Sequence, residues 1–97
     1  MQVATGTGHW HGKTVLIAGG SGGMGRAIAA RFAADGASLY LCDVNRRSLD
    51  EAVRQLDSGA VDSIEADITQ VKECARAINA AVDANGRLDL LINAAGI

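Results

Sequence analysis

Few side chains in this sequence have the chemistry of a reaction, and those that could bind a ligand cluster around one glycine-rich run. Ala18-Gly19-Gly20-Ser21-Gly22-Gly23-Met24-Gly25 follows the apolar Thr14-Val15-Leu16-Ile17 and leads into a helical pattern from Arg26-Ala27-Ile28. A strand feeding a glycine turn and then a helix start is an anion site. Missing side chains let backbone N–H groups approach a phosphate, and the helix dipole adds partial positive charge. Gly20, Gly22 and Gly25 satisfy G-x-G-x-x-G, while Gly19, Gly23 and Gly25 fit G-x-x-x-G-x-G. A triphosphate-binding loop would need Lys and Ser/Thr after the last glycine, and this chain has Arg26-Ala27. The upstream Gly12-Lys13-Thr14 precedes a strand instead of opening a helix, so its geometry is wrong for that role. A dinucleotide pyrophosphate is the expected occupant.

Two strand-end carboxylates sharpen that expectation. Asp43 stands 18 residues after Gly25, where it can accept hydrogen bonds from adenosine ribose hydroxyls and would repel a 2′-phosphate. NAD is therefore expected over NADP, with Arg46 and Arg47 read as the solvated start of the next helix. Asp67 can accept from an adenine amino group, with Ile68 against the ring, or can serve as a cap partner near Thr69; both readings stay open. Asn93-Ala94-Ala95-Gly96 ends a further strand, where small residues let a cofactor lie on the backbone. The Asn93 side chain reads as a tie between strands.

The elements that position these residues follow from periodicity. Strands are expected over Lys13–Ala18, Ala37–Asp43, Ala60–Ala66 and Leu88–Asn93. The last is almost unbroken in apolar character and so is expected to be buried on both faces. A helix from Gly23 to Asp35 carries Met24, Ile28 and Phe32 on one face and stops at Gly36. A second opens on the capping-box pattern Ser48-Leu49-Asp50-Glu51 and ends at Gly59. Thr69 is placed to cap a third, with Val71, Cys74, Ala75, Ile78 and Val82 on its apolar side and Gly86 as its stop. The order β-α-β-α-β-α-β implies an α/β fold with a parallel, Rossmann-type sheet in spatial order 3-2-1-4, half of a doubly wound fold. Residues 1–12 read as a tail and 13–97 as a partial dinucleotide-binding domain.

With 97 residues the chain has room for one domain, and at 48% hydrophobic and 21% charged it has an ordinary globular composition. A net charge of −2 gives no reason to expect nucleic acid or an anionic membrane. No apolar run approaches spanning length, and no signal peptide precedes the first strand. Cys42 and Cys74 read as core thiols in a reducing cytoplasm. His9 and His11 lack further ligands, so no metal is expected. Trp10 between them reads as a cover for the bottom of the sheet or as simply disordered.

The glycine run Ala18–Gly25, Asp43, Asp67-Ile68-Thr69 and Asn93-Ala94-Ala95-Gly96 together resemble the N-terminal half of a classical short-chain dehydrogenase/reductase. The likeness extends over nearly all of the chain after Gly12, with Ala18 standing where the family usually has Thr and Ala94 where it usually has Asn. The resemblance implies an NAD(P)-dependent oxidoreductase acting on an alcohol or ketone. It implies pyrophosphate contacts around Gly19–Gly25, ribose contacts at Asp43, adenine contacts at Asp67 and Ile68, and a nicotinamide-side border at Asn93–Gly96. The family's marks of NADP preference, a basic residue at the positions of Gly22 or Val44, are missing. Its catalytic Ser and Tyr-x-x-x-Lys belong to the half that follows. The single tyrosine, Tyr40, has Val44 four residues on, so no residue is assigned as acid or base and the 97 residues alone are expected to be inactive. A second reading is a non-catalytic nucleotide-binding or assembly module. In either case the last strand leaves an apolar edge, expected to self-associate or to take a C-terminal half.

Overall fold

The computed structural model describes residues 9–56 and 61–94. Seven elements alternate along it: β1 (Thr14–Ala18), α1 (Gly23–Ala34), β2 (Ser38–Asp43), α2 (Arg46–Leu56), β3 (Val61–Glu65), α3 (Val71–Asn85) and β4 (Leu90–Asn93). The four strands form one parallel sheet in the order β3-β2-β1-β4. This is the Rossmann-type arrangement that the alternation of apolar runs and helical periods predicts.

Why the sheet closes this way is visible in its side chains. All five residues of β1 are buried, which suits a strand paired on both edges and covered on both faces. The register sets Val15 beside Leu39 and Ile17 beside Leu41, and it sets Leu16 beside Tyr40 and Ala18 beside Cys42. Alternation sends these pairs to opposite faces. Val15, Ile17, Leu39 and Leu41 pack with Ala29 of α1 and with Leu49 and Ala52 of α2. On the other face Leu16, Tyr40 and Cys42 pack with Ala77 and Ala81 of α3. The first two crossovers step outward from β1 and cover one face. The third jumps back past β2 and β1, and α3 covers the other face.

Local details depart from the sequence expectations in several places. First, α2 begins at Arg46, ahead of Ser48. The Asn45 side chain accepts from the Ser48 amide at 3.1 Å and the Asn45 carbonyl from the Leu49 amide, so Asn45 caps the helix. Second, Thr69 does not cap α3, whose N-cap is Gln70 with no side-chain bond. The Thr69 amide and hydroxyl both donate to Asp67. Third, the buried face of α3 carries Ala77 and Ala81, whereas Val71 is 86% exposed. Fourth, β4 is an edge strand with Leu91 44% exposed, not a strand buried on both sides. Of the apolar positions expected on α1, Ile28 and Phe32 pack on the core while Met24 projects outward.

The glycine stops behave as expected where they fall within the described residues. Gly36 and Gly86 follow α1 and α3 in the left-handed region, at φ of 90° and 76°. Gly59, the expected end of α2, lies outside the described residues. Trp10 covers the lower end of the sheet, edge-on to Phe32 with ring centroids 4.9 Å apart and with the Lys13 ammonium 5.4 Å from its own centroid.

Candidate cofactor-binding site

Parallel strands bring their C-terminal ends to one rim, and the loops after them converge there. The Gly19 amide donates to the Cys42 carbonyl at 2.8 Å and the Gly20 amide to the same oxygen at 3.2 Å, laying the glycine loop across the end of β2. Gly19 turns the chain at a φ of 75°. A Cβ on Gly25 would lie 2.1 Å from the Gly19 carbonyl oxygen, so glycine at 25 is what lets α1 dock under the loop.

Gly22 and Gly23 differ. A Cβ on Gly23 would meet nothing within 4 Å, and one on Gly22 would make only an ordinary contact. The fold does not need glycine at either position, and their backbone faces open space. Gly22 is the N-cap of α1 and provides no side-chain cap, and no carboxylate occupies the first turn. The start of α1 thus offers uncapped, electropositive backbone that an anion can reach.

Across the rim, Asp43 closes β2. One of its carboxylate oxygens, Oδ2, accepts from the Ser21 hydroxyl and from the Ser21 amide at 3.3 Å, while Oδ1 accepts from the Val44 amide at 2.7 Å. The Ala66 amide donates to the Asp43 carbonyl at 2.9 Å, joining the ends of β2 and β3. Beyond β3, the two Thr69 donors hold the Asp67 carboxyl below the usual carboxylate range, so it stays ionised. Between these walls runs a cleft of about 240 Å³.

The cleft brings together six of the residues expected at the site: Gly19, Gly22, Asp43, Asp67, Ile68 and Ala94. Ser21 stands behind them, bonded to Asp43. Gly25 is buried in the loop–helix contact, Met24 is exposed, and Gly23 is open at the helix start. Asn93 pairs with Ala18 in the sheet, and the Ala94 amide continues the ladder to the Ala18 carbonyl at 2.8 Å. Ala95 and Gly96 lie outside the described residues. Cys42, Val44, Ala66 and Thr69 also line the cleft. Each adjoins an expected residue in the chain; Thr69 also belongs to the motif Asp67-Ile68-Thr69 and Val44 to a position that marks cofactor preference, whereas for Cys42 and Ala66 adjacency was the signal available. Cys42 is fully buried, and burial first, with the neighbouring Asp43 charge second, pushes its thiol up to about 11.

The family model described as short chain dehydrogenase matches residues 13–97. The chain belongs to the short-chain dehydrogenase family. It is 36% identical over 86 residues to cis-1,2-dihydrobenzene-1,2-diol dehydrogenase of Pseudomonas putida, an alignment that covers 89% of this chain and 31% of that enzyme. The crystal structure of a short chain dehydrogenase from Mycobacterium smegmatis superposes with a TM-score of 0.92 at 33% identity, covering all of this chain and 42% of that one. The chain thus spans about a third of the length of the curated relatives it matches. Among solved structures with this fold, a 3-ketoacyl-(acyl-carrier-protein) reductase from Brucella melitensis is complexed with NADH and an actinorhodin polyketide ketoreductase with NADPH. Among the described residues, no helix is long and apolar enough to cross a membrane.

Proposed function

We propose that this chain forms the adenosine- and pyrophosphate-binding part of an oxidoreductase that uses NAD, in preference to NADP, to interconvert an alcohol and a ketone. The observation that carries the reading is the cleft at the strand ends, with open glycine backbone at the start of α1 on one wall and two carboxylates on the other. NAD, when bound, supplies or accepts the hydride. The residues here bind and orient it. Backbone amides around Gly22 and Gly23 would hold the pyrophosphate, and Asp43 would accept from the adenosine ribose hydroxyls. Asp67, ionised, would accept from the adenine amino group beside Ile68, and Ala94 with the following Ala95 and Gly96 would border the far ribose.

Preference for NAD follows from charge. A 2′-phosphate beside Asp43 would bring like charges together in a partly enclosed cleft. The Ser and Tyr-x-x-x-Lys of the family are not among these residues, so the 97 residues by themselves are expected to be inactive. Two free thiols, Cys42 and Cys74, suit a reducing compartment such as the cytoplasm.

Calorimetric titration of NAD and NADP against the native protein tests the reading. NAD should bind the more tightly, and Asp43→Asn should weaken NAD by roughly tenfold, the loss expected for a hydrogen bond to a charged group, while weakening NADP much less. Equal affinity for the two, unchanged by Asp43→Asn, would contradict it.

A further inference from the structure

The Asp43 carboxylate is not held by β2 alone. Ser21 fixes Oδ2 through both its hydroxyl and its amide, and its loop is pinned to the end of β2 at Gly19 and Gly20 and joins α1 at Gly22, which leaves the Ser21 peptide itself as the span between these anchors. What holds Ser21 is Arg26. Its Nε donates to the Ser21 carbonyl at 2.8 Å. The rest of the guanidinium is anchored on α2, with one terminal nitrogen 2.7 Å from Gln55 Oε1 and the other 3.3 Å from the Ser48 carbonyl and 3.7 Å from Glu51. A planar fork of donors can bridge two elements in this way, and a lysine ammonium cannot. The Arg26 side chain is 28% exposed: its bonds to the Ser21 and Ser48 carbonyls are partly buried, while Gln55 and Glu51 stand in solvent.

We infer that Arg26 is a positioning residue for the Asp43 carboxylate, acting through Ser21, and that it thereby sets the preference of the site for an unphosphorylated adenosine ribose. The inference rests on the NAD reading above. With Oδ2 tied to Ser21, the carboxylate cannot rotate away from an incoming 2′-phosphate, and the remaining lone pairs stay aimed at the cleft. Releasing Arg26 frees Ser21 to turn, and the Asp43 carboxylate, then held only through Oδ1 on the Val44 amide, can turn Oδ2 away from the phosphate.

The test is the NAD-to-NADP affinity ratio in the native protein. Arg26→Gln should cut that ratio by roughly fivefold, a coupling of the size seen within one hydrogen-bond network, and Arg26→Lys should not restore it. In an Asp43→Asn background the same Arg26→Gln change should leave the ratio where Asp43→Asn put it. A role in stability alone would lower the melting temperature with the ratio intact, and a role as a mere cation near the pyrophosphate would weaken both dinucleotides equally. Either result overturns the inference. Should Arg26→Gln not fold, Ser21→Ala gives the same readout, and an unchanged ratio there is equally fatal. A wild-type protein that bound neither dinucleotide would remove the NAD reading and this inference together. A wild type that discriminates, with Arg26→Gln discriminating as well, removes the inference alone.

Discussion

Cys42 shows how one buried side chain ties the ligand cleft to the stability of the sheet. Its Sγ lies 3.5 Å from the Ala66 carbonyl, and the residue has no exposed surface. Folding favours the protonated thiol, because burial and the Asp43 charge both oppose the thiolate. The contribution is therefore complete below the ordinary value of 9.0 and disappears as pH rises through about 11. Across that window the native protein should lose up to about 2 kcal/mol more of unfolding free energy than a Cys42→Ala variant. Urea unfolding of both proteins on either side of the window measures the difference. Tyr40, also raised by burial, titrates in both proteins and cancels. At this scale the strand-end acids were legible, since a carboxylate closing an apolar run stands out in a sequence. The Ser21–Asp43 contact was not, because 22 residues separate its partners and only the pairing of β1 with β2 brings them together.

The glycines of the loop fall into two kinds that the sequence does not separate. Gly25→Ala would force a Cβ into the Gly19 carbonyl and should destabilise the protein by about 3 kcal/mol, the upper end of ordinary overpacking, because backbone cannot move aside as a side chain can. Gly23→Ala meets open space, so it should leave the melting temperature unchanged or raise it by the equivalent of up to about 1 kcal/mol, the helix preference for alanine. The same substitution should weaken NAD binding. Thermal melts and titrations of the two variants separate the fold's glycine from the ligand's. Elements were easier to read than their edges. The sequence places the start of α2 at Ser48 because Glu51 completes a capping-box pattern with it, whereas the helix starts at Arg46 behind an Asn45 cap absent from the sequence expectations. The buried face of α3 was misread for a different reason. Valine outweighs alanine in any hydrophobic tally, yet Ala77 and Ala81 are what let a helix lie close against Leu16 and Tyr40.

For the whole molecule, the open side of β4 is the exposed consequence of its strand order. Leu91 is 44% exposed on β4, the edge strand of the sheet among the described residues, and Val71 and Val82 of α3 add exposed apolar surface. The isolated 97-residue polypeptide is expected to self-associate through this edge, and Leu91→Lys should shift it toward monomer in sedimentation. A sedimentation coefficient that stays monomeric for the unmodified polypeptide at high concentration would refute this. The 3-2-1-4 order itself was legible, since three helices between four apolar runs leave few ways to wind a sheet. It also fixes a timetable. β1 leads the chain yet lies at the centre, and its β4-side partner begins at Leu90, with Asp89 reaching back 75 residues to the Thr14 amide at 2.8 Å. A ribosome delivers β1, β2 and β3 in time to pair with one another, but the other flank of β1 must wait for β4 to emerge. The most deeply buried of these four strands is thus one that stays half-dressed while three helices and two strands are made, a vulnerability built into the winding and not into any residue.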